Sequence, residues 1–525
     1  MRKETVTVMR VSKLSLAGLI FMGGGCAIWA GCAGTSPNLA TPQMQTPSLG
    51  GGLGGRSVAG LPPGAAADAA LPPLEAIQTP EKTFVQPPYL QLGNRPALGN
   101  KTEGLELLWI APAGAKLEEW SVETRPAIAG GVWKKIAGKL GAKNIAVGVI
   151  EPQTVISAPL DGLVPGKLFD YRISKADKPV FAARTRARKT AKEPQRFVLF
   201  GDCGQNTTGQ KQVAAQTMAA KPDYVFITGD IVYGKGLASE YVKNYWPIYN
   251  AETATAEGVP LLRSTLTLAS PGNHDIRSST LEKTPDAFSY FYYWSQPLNG
   301  PMIASTKFAS PLGSTDTKAF LAAAGEHYPR MASFSFDYGN AHWTVLDANG
   351  YMDWTDAALK QWVESDLKAA QKATWRFVAF HHPPFNSNKE HFNDQWMRVL
   401  APLFEKYGVA VVWSGHVHDY QRSYPLTFLP EKPRGEKGDV AGKITLDKVY
   451  DGVKNTKPTA PIYIVSGAGG AGLYKNIEKG KLQDFTAKYI DDTHSLTIVD
   501  LTDKKLVARQ VAADGKELDT WTITK

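Results

Sequence analysis

Between residues 84 and 188 the apolar positions come in short runs separated by turn signals. "LELLWIAP" (105–112) and "KNIAVGVI" (143–150) read as strands, and in "LDGLVPGKLFDYRIS" (160–174) Leu168, Asp170 and Arg172 alternate with Phe169, Tyr171 and Ile173. From about Pro194 the pattern changes to strand-length apolar runs alternating with helical periods, as in an α/β domain. "TDAALKQWVESDLKAAQ" (355–371) places Leu359, Trp362, Val363 and Leu367 on one helical face. "NDQWMRVLAPLFEKYG" (393–408) does the same with Trp396, Val399, Leu400, Leu403 and Phe404, and Gly408 ends it. The pattern predicts a β domain over 81–190 followed by an α/β domain over 191–525. Within the second, the aromatic stretch "AFSYFYYWSQPLNGP" (287–301) leaves two readings open, core packing and a substrate-stacking lid.

The upstream chain is of another kind. Residues 1–32 hold a positive region up to Lys13, then "LSLAGLIFMGGG", too short and glycine-broken for a spanning helix, then "IWAGC" ending at Cys32. Small residues at Ala30 and Gly31 before a cysteine resemble the lipobox of bacterial lipoproteins. That resemblance implies an exported chain lipidated at Cys32 and anchored to a membrane; Trp29 stands where an aliphatic residue is usual, and plain secretion is the alternative. Residues 33–80 are rich in Gly, Pro and Ala with almost no charge, and are expected to form a flexible tether. Besides Cys26 and Cys32 there is only Cys203, so the fold is expected to do without disulfides.

A chain of 525 residues is long enough for two to four domains with real cores. Its net charge is +9, of which residues 1–31 contribute +3. The remainder is mildly basic, which favours anionic ligands in general terms. With no Lys/Arg block interleaved with aromatics, no nucleic-acid partner is expected.

The candidate chemistry sits at strand ends. "RFVLFGDCG" ends at Asp202, and "DYVFITGDIVY" at Asp230 and Tyr233; "LTLASPGNHD" presents Asn273 and His274, "WRFVAFHHPP" His381 and His382, and "VAVVWSGHVH" His416 and His418. Ligands gather at the carboxyl ends of strands in open α/β sheets, so the five are expected to converge. Any one of them alone is an ordinary turn or a satisfied histidine. Carboxylate, amide and imidazole donors together suit borderline divalent or hard trivalent metals.

The ordered set resembles the calcineurin-like metallophosphoesterase superfamily. Within it, "GDCG", "GDIVY", "GNHD", the His-x-Pro stretch and "GHVHDYQR" resemble the motifs of the purple acid phosphatases, and "PYLQLG" (88–93), "SFDYGNAHWTVLD" (335–347) and "PIYIVSGAGG" (461–470) have the same flavour. The resemblance implies an α+β two-domain protein, with an N-terminal fibronectin type III-like β-sandwich followed by an α/β/β/α metallophosphoesterase sandwich. Phe169 stands at the corner position where that sandwich family carries a tyrosine.

It also implies two metal ions. Asp202, Asp230, Tyr233 and His418 would hold iron(III), and Asp230, Asn273, His381 and His416 would hold zinc, iron or manganese, with Asp230 shared. A phenol has a reference pKa near 10, and a strongly acidic trivalent ion keeps it ionised at low pH. The alternative for Tyr233 is a packed ring, since other metallophosphoesterases do without such a ligand. The implied reaction is attack of a metal-bound hydroxide on a phosphate ester while a histidine protonates the leaving alkoxide. His274 and His391 match the substrate-side histidines, although His391 reads equally as a solvated helix-start residue.

Four positions depart from the family pattern. Asp275 replaces the usual Glu, and Cys203 replaces an apolar residue and reads as a small buried hydrophobe. His382 lies outside the His-x-Pro register and is expected behind the ligands, as is Asp275; Asp419 stands where a small residue is commoner. The leading expectation is a phosphate monoester hydrolase. Its alternatives are a phosphodiesterase or nucleotidase using the same site, and a non-catalytic surface lipoprotein binding a partner through its β-sandwich.

Overall fold

The computed structural model describes residues 71–276, 281–301, 317–432 and 438–525. The expected signal segment, Cys32 and the tether as far as residue 70 lie outside the described residues.

Eight strands open the fold: Gln86–Gln91 (β1), Glu103–Pro112 (β2), Trp120–Pro126 (β3), Lys134–Lys135 (β4), Gly141–Ile145 (β5), Gln153–Leu163 (β6), Leu168–Lys175 (β7) and Lys178–Arg186 (β8). They pair antiparallel into two four-stranded sheets, ordered β1-β2-β6-β5 and β4-β3-β7-β8. Leu107, Trp109 and Ile156 of the first sheet pack with Val122, Tyr171 and Ile173 of the second, as period-two alternation requires. The stretch read as a strand over 143–150 breaks after Ile145, and Gly148 takes a left-handed φ of +55°. Asp170 occupies a polar place in the alternation yet is fully buried, held by Arg125 at 3.0 Å and Arg184 at 2.6 Å. The end of the expected tether, from Leu71 to Thr79, runs along the second sheet: Arg184 Nη2 donates to Pro72 O, and Thr79 Oγ1 to Val180 O.

The remaining strands are Gln195–Phe200 (β9), Tyr224–Ile227 (β10), Leu266–Ala269 (β11), Phe334–Tyr338 (β12), Ala341–Val345 (β13), Trp375–Ala379 (β14), Val411–Ser414 (β15), Tyr420–Ser423 (β16), Leu426–Pro430 (β17), Gly442–Leu446 (β18), Ile462–Ser466 (β19), Thr486–Ile490 (β20), Ser495–Leu501 (β21), Lys505–Ala512 (β22) and Glu517–Thr524 (β23). One sheet has the order β11-β10-β9-β21-β22-β23, the other β12-β13-β14-β15-β19-β16-β20. Their inner faces meet through aromatic side chains: Phe197 lies 5.2 Å from Trp343 and 5.9 Å from Phe377, and Phe226 stacks on Trp343 at 5.1 Å. The trio β9, β10, β11 is parallel, as is the run β13, β14, β15, β19, so each sheet sends a row of carboxyl ends to one edge.

The helix expected over 355–371 is Ala357–Ala369, capped by Asp356, whose carboxylate accepts from the Ala358 and Leu359 amides. Leu359, Val363 and Leu367 are buried, and Trp362 is half-buried with its Nε1 donating to Asn299 O. The second expected helix is not continuous. A 3₁₀ segment, Trp396–Leu400, gives way to a short α-helix, Ala401–Lys406, with Pro402 in its first turn, because Pro402 has no N–H for the helical ladder and clashes with the preceding turn. The aromatic stretch belongs to the core: Phe288 to Trp294 are buried, apart from Ser289 all aromatic, and Tyr89 Oη of the first sandwich donates to Tyr293 O at 2.9 Å. A second joint is ionic. Arg188 and Glu103, both almost completely buried, pair at 2.8 Å, and Arg188 Nη1 also donates to Asp337 O at 3.0 Å.

One buried histidine sets a pH test of the fold. His342 on β13 lies between Asp337 at 2.7 Å and Asp366 at 3.1 Å. Burial opposes its charge, but the two carboxylates outweigh burial and lift its pKa to about 9. A raised histidine pKa stabilises fully below about 6.5, and that contribution is lost as the pH rises through about 9. His342→Gln is therefore expected to lose up to about 3 kcal/mol relative to the parent at pH 6 and to approach it at pH 10, read by urea unfolding. A pH-independent difference would contradict the assignment.

Candidate metal centre

The carboxyl ends of β9, β10, β11, β14 and β15 carry the five groups read from the sequence, and the fold brings them together. Asp202 follows β9 and Asp230 follows β10, each with a left-handed backbone (φ +59° and +50°), and His416 after β15 has φ +70°. Non-glycine residues held there store strain that the surroundings must over-determine, a habit of functional sites. The turns fix them: His274 N donates to Asp230 Oδ1 and His416 N to Asp202 Oδ2, both at 2.8 Å. Gly272 is needed for close approach, since a Cβ there would run into Asp230 Oδ1.

Two nests of donor atoms result. In the first, Tyr233 Oη lies 3.1 Å from Asp202 Oδ1 and 2.8 Å from His418 Nε2, and these last two atoms are 3.5 Å apart. In the second, His381 Nε2 has Asn273 Oδ1 at 3.1 Å, Asp230 Oδ1 at 3.3 Å and His416 Nδ1 at 3.1 Å. The nests adjoin, with Asp202 Oδ1 only 3.9 Å from His381 Nε2.

The far side of each imidazole fixes its tautomer. His381 Nδ1 donates to Thr228 O at 2.7 Å, His418 Nδ1 to Gly472 O at 2.6 Å, and His416 Nε2 to Asp394 Oδ2 at 3.1 Å. Each ring then turns its other nitrogen toward the carboxylate, amide, phenol and imidazole donors of the nests, where a cation, a proton or a metal ion, holds them together. The donor set thus fits metal ions on its own geometry.

The charges say the same. Burial opposes the charge of His381, but Asp230 and Asp202 lift its pKa to about 9, while burial and the neighbouring rings push His416 down to about 3. Asp230 is held below the usual carboxylate range: burial would raise it, but His381 and the other histidines prevail. Burial, Asp202 and Asp230 together push the Tyr233 phenol well up, so it ionises only where positive charge replaces its proton.

The other expected residues fall as follows. Asp275 lies behind the centre, accepting from Ile231 N at 3.0 Å and Gly272 N at 2.8 Å, so the shorter side chain still braces both turns. His382 packs behind His416, ring centroids 4.2 Å apart, and does not line the cleft. Cys203 is fully buried and its thiol pKa is pushed up by burial, which makes it an inert apolar filler. Asp419 is buried, with Asn388 Nδ2 and Gln421 Nε2 donating to it at 3.0 Å each, and burial raises its pKa to about 8.

The centre opens into a cleft of about 330 Å³ lined by Asp230, Asn273, His274, His391, His416, His418 and Tyr474. His391 does not begin a helix; it sits in a turn at φ +59°, with its ring 3.8 Å from that of His416. The sequence reading missed two residues. Asp394 Oδ2 is 3.1 Å from both His391 Nδ1 and His416 Nε2, and its three-residue spacing from His391 was the available signal. Tyr474 stacks on His418 at 4.0 Å and 8°, from a glycine-rich loop with no periodicity to read.

Residues 195–420 match the family of calcineurin-like phosphoesterases. This stretch is a calcineurin-like phosphoesterase domain. The chain around it is similar to purple acid phosphatase 23 of Arabidopsis thaliana, 25% identical over 375 residues, which cover 66% of this chain and 67% of that protein. It is also similar to the probable inactive purple acid phosphatase 1 of the same plant, 24% identical over 498 residues, covering 86% and 72%. Among solved structures, the purple acid phosphatase PPD1 from yellow lupin (Lupinus luteus) seeds shares the fold, with a TM-score of 0.60 and 17% identity over 83% of this chain and 74% of that one. The metallophosphoesterase domain and its phosphatase relatives make the protein a phosphoric ester hydrolase of the acid phosphatase type.

Proposed function

We propose that the protein hydrolyses phosphate monoesters at a dinuclear metal centre. The observation that carries this is the convergence of the His381, His416 and His418 nitrogens with oxygens of Asp202, Asp230, Tyr233 and Asn273 in two adjoining nests, Asp202 Oδ1 of one lying 3.9 Å from His381 Nε2 of the other. Asp202, Asp230, Tyr233 and His418 hold an iron(III) ion in this reading; Asp230, Asn273, His381 and His416 hold zinc, iron or manganese. Two such cations would supply Lewis acidity toward the phosphoryl oxygens and lower the pKa of water. One relative is named as inactive, and the complete donor set is what supports activity here.

The chain's own residues do the remaining work. His274 Nδ1 donates to Gly234 O at 3.1 Å, which aims its Nε2 into the cleft, where the protonated ring hands a proton to the leaving oxygen. Asp394 fixes the His391 ring as a second donor for the ester. Two carboxylates and one tyrosinate against five metal charges leave the centre positive, which favours a dianionic monoester over a monoanionic diester.

The test is the ratio of kcat/KM for p-nitrophenyl phosphate and bis(p-nitrophenyl) phosphate on the metal-loaded protein. A monoester preference of at least about tenfold is expected; a diester preference would make it a phosphodiesterase. Export and lipid anchoring at Cys32 remain part of the proposal and rest on the lipobox-like sequence alone; the relatives named above are plant proteins.

A further inference from the structure

The net positive charge of residues 84–525 is not spread evenly. Residues 84–192 hold 17 Lys and Arg against 9 Asp and Glu, whereas residues 193–525 hold 35 against 36. Part of the excess gathers at one edge of the second sandwich sheet. There Lys134 and Lys135 form the two-residue edge strand β4, and Lys139 follows; all three are exposed and none forms an ion pair among the described residues.

Edge lysines alone have a bland explanation, since they discourage strand-to-strand association. Their neighbours do not fit it. Ile128 and Val132, on either side of the Gly130–Gly131 turn, are 62% and 67% exposed. Trp133 is held between two guanidinium groups, with Arg125 Cζ at 4.5 Å and Arg172 Cζ at 4.6 Å from its ring centroid. Two aliphatic tips, an indole and three free lysines thus fall within twelve residues.

We propose that this edge, residues 128–139, docks on an anionic phospholipid surface. The aliphatic tips enter the headgroup boundary, the indole sits at that boundary, and the lysines lie over the phosphates. A hydrated polyanion, such as an acidic polysaccharide, would use the lysines and leave Ile128 and Val132 in water. The chain also reaches this sheet from its N-terminal side: residues 71–79 lie along it, with Glu75 3.8 Å from Arg172. Docking on this edge stands without an upstream anchor and without the phosphatase reading.

The test is co-sedimentation of the full chain in a Cys32→Ser background, so that no acyl chain contributes and the N-terminus is common to all variants. The probes are vesicles of phosphatidylcholine alone and of phosphatidylcholine with about one-third phosphatidylglycerol. The mixed vesicles are expected to bind the parent more tightly than the neutral ones. K134E/K135E is expected to weaken partitioning to mixed vesicles by about 30-fold or more, and I128S/V132S by about tenfold. Hydrolysis of a soluble ester by each variant should stay at the parent level, which reads folding separately. Equal binding to both vesicles, or binding unchanged in K134E/K135E, overturns the proposal. Loss in K134E/K135E with none in I128S/V132S overturns the bilayer as partner and leaves a hydrated polyanion.

Discussion

Asp230→Asn is expected to lower kcat/KM for phosphate ester hydrolysis by at least about a thousandfold, because in the proposed centre Asp230 is the carboxylate that both ions would share. Lewis-acid stabilisation of a phosphoryl transition state amounts to several kcal/mol, and each 1.36 kcal/mol is about tenfold in rate. The amide keeps the shape and can still accept from His274 N, which bonds Asp230 Oδ1 at 2.8 Å in the parent. What it removes is the negative charge next to His381 Nε2 at 3.3 Å. The same variant should therefore bind less than the full complement of metal, read by elemental analysis of the purified protein. Full metal content with full activity would remove Asp230 from its central place.

His274→Ala is expected to act differently, lowering kcat by roughly 10²- to 10⁴-fold while both metals stay bound. Its side chain is one-quarter exposed in the cleft, packs against the Tyr233 ring with centroids 4.6 Å apart, and holds Nε2 3.9 Å from Asp230 Oδ2. A group that donates a proton to the leaving oxygen matters most for poor leaving groups, so the loss should be larger with an alkyl ester than with p-nitrophenyl phosphate. Equal losses on both esters would point to substrate positioning, and unchanged turnover would pass the role of acid to His391. Tested in parallel, His391→Ala separates the two histidines.

The centre was legible because each half of its signal is local. A buried strand is an apolar run, its end is a glycine turn, and a polar group just past the end has one place to go; five such stretches had to converge if they lay in the same sheets. Longer-range features carried no local signal. The antiparallel pairing of β21 with β9 joins residues some 300 positions apart, as in Thr497 with Leu199, and no periodicity foretells it. Pro402 did announce the break in the second helix, but the apolar face around it reads as continuous. Asp170 shows the opposite failure: alternation marks it as outward-facing, and only Arg125 and Arg184, from neighbouring strands, make its burial tolerable. The strap over residues 71–79 reads as flexible tether because its composition offers no apolar pattern, whereas it is held by individual bonds to Arg184 and Val180.

The central claim is that Tyr233 makes one of the two ions trivalent iron. The geometry sets up the choice: the phenol is pushed toward neutrality by burial and by Asp202 and Asp230, yet its oxygen points at His418 Nε2 from 2.8 Å. Only a strongly acidic cation in that nest would keep it ionised. The direct measurement is the visible absorption spectrum of the oxidised full chain and of Tyr233→Phe. A broad tyrosinate-to-iron(III) band in the parent, absent from the variant, is the predicted result. A colourless protein that hydrolyses phosphate esters only with added manganese or zinc would contradict it.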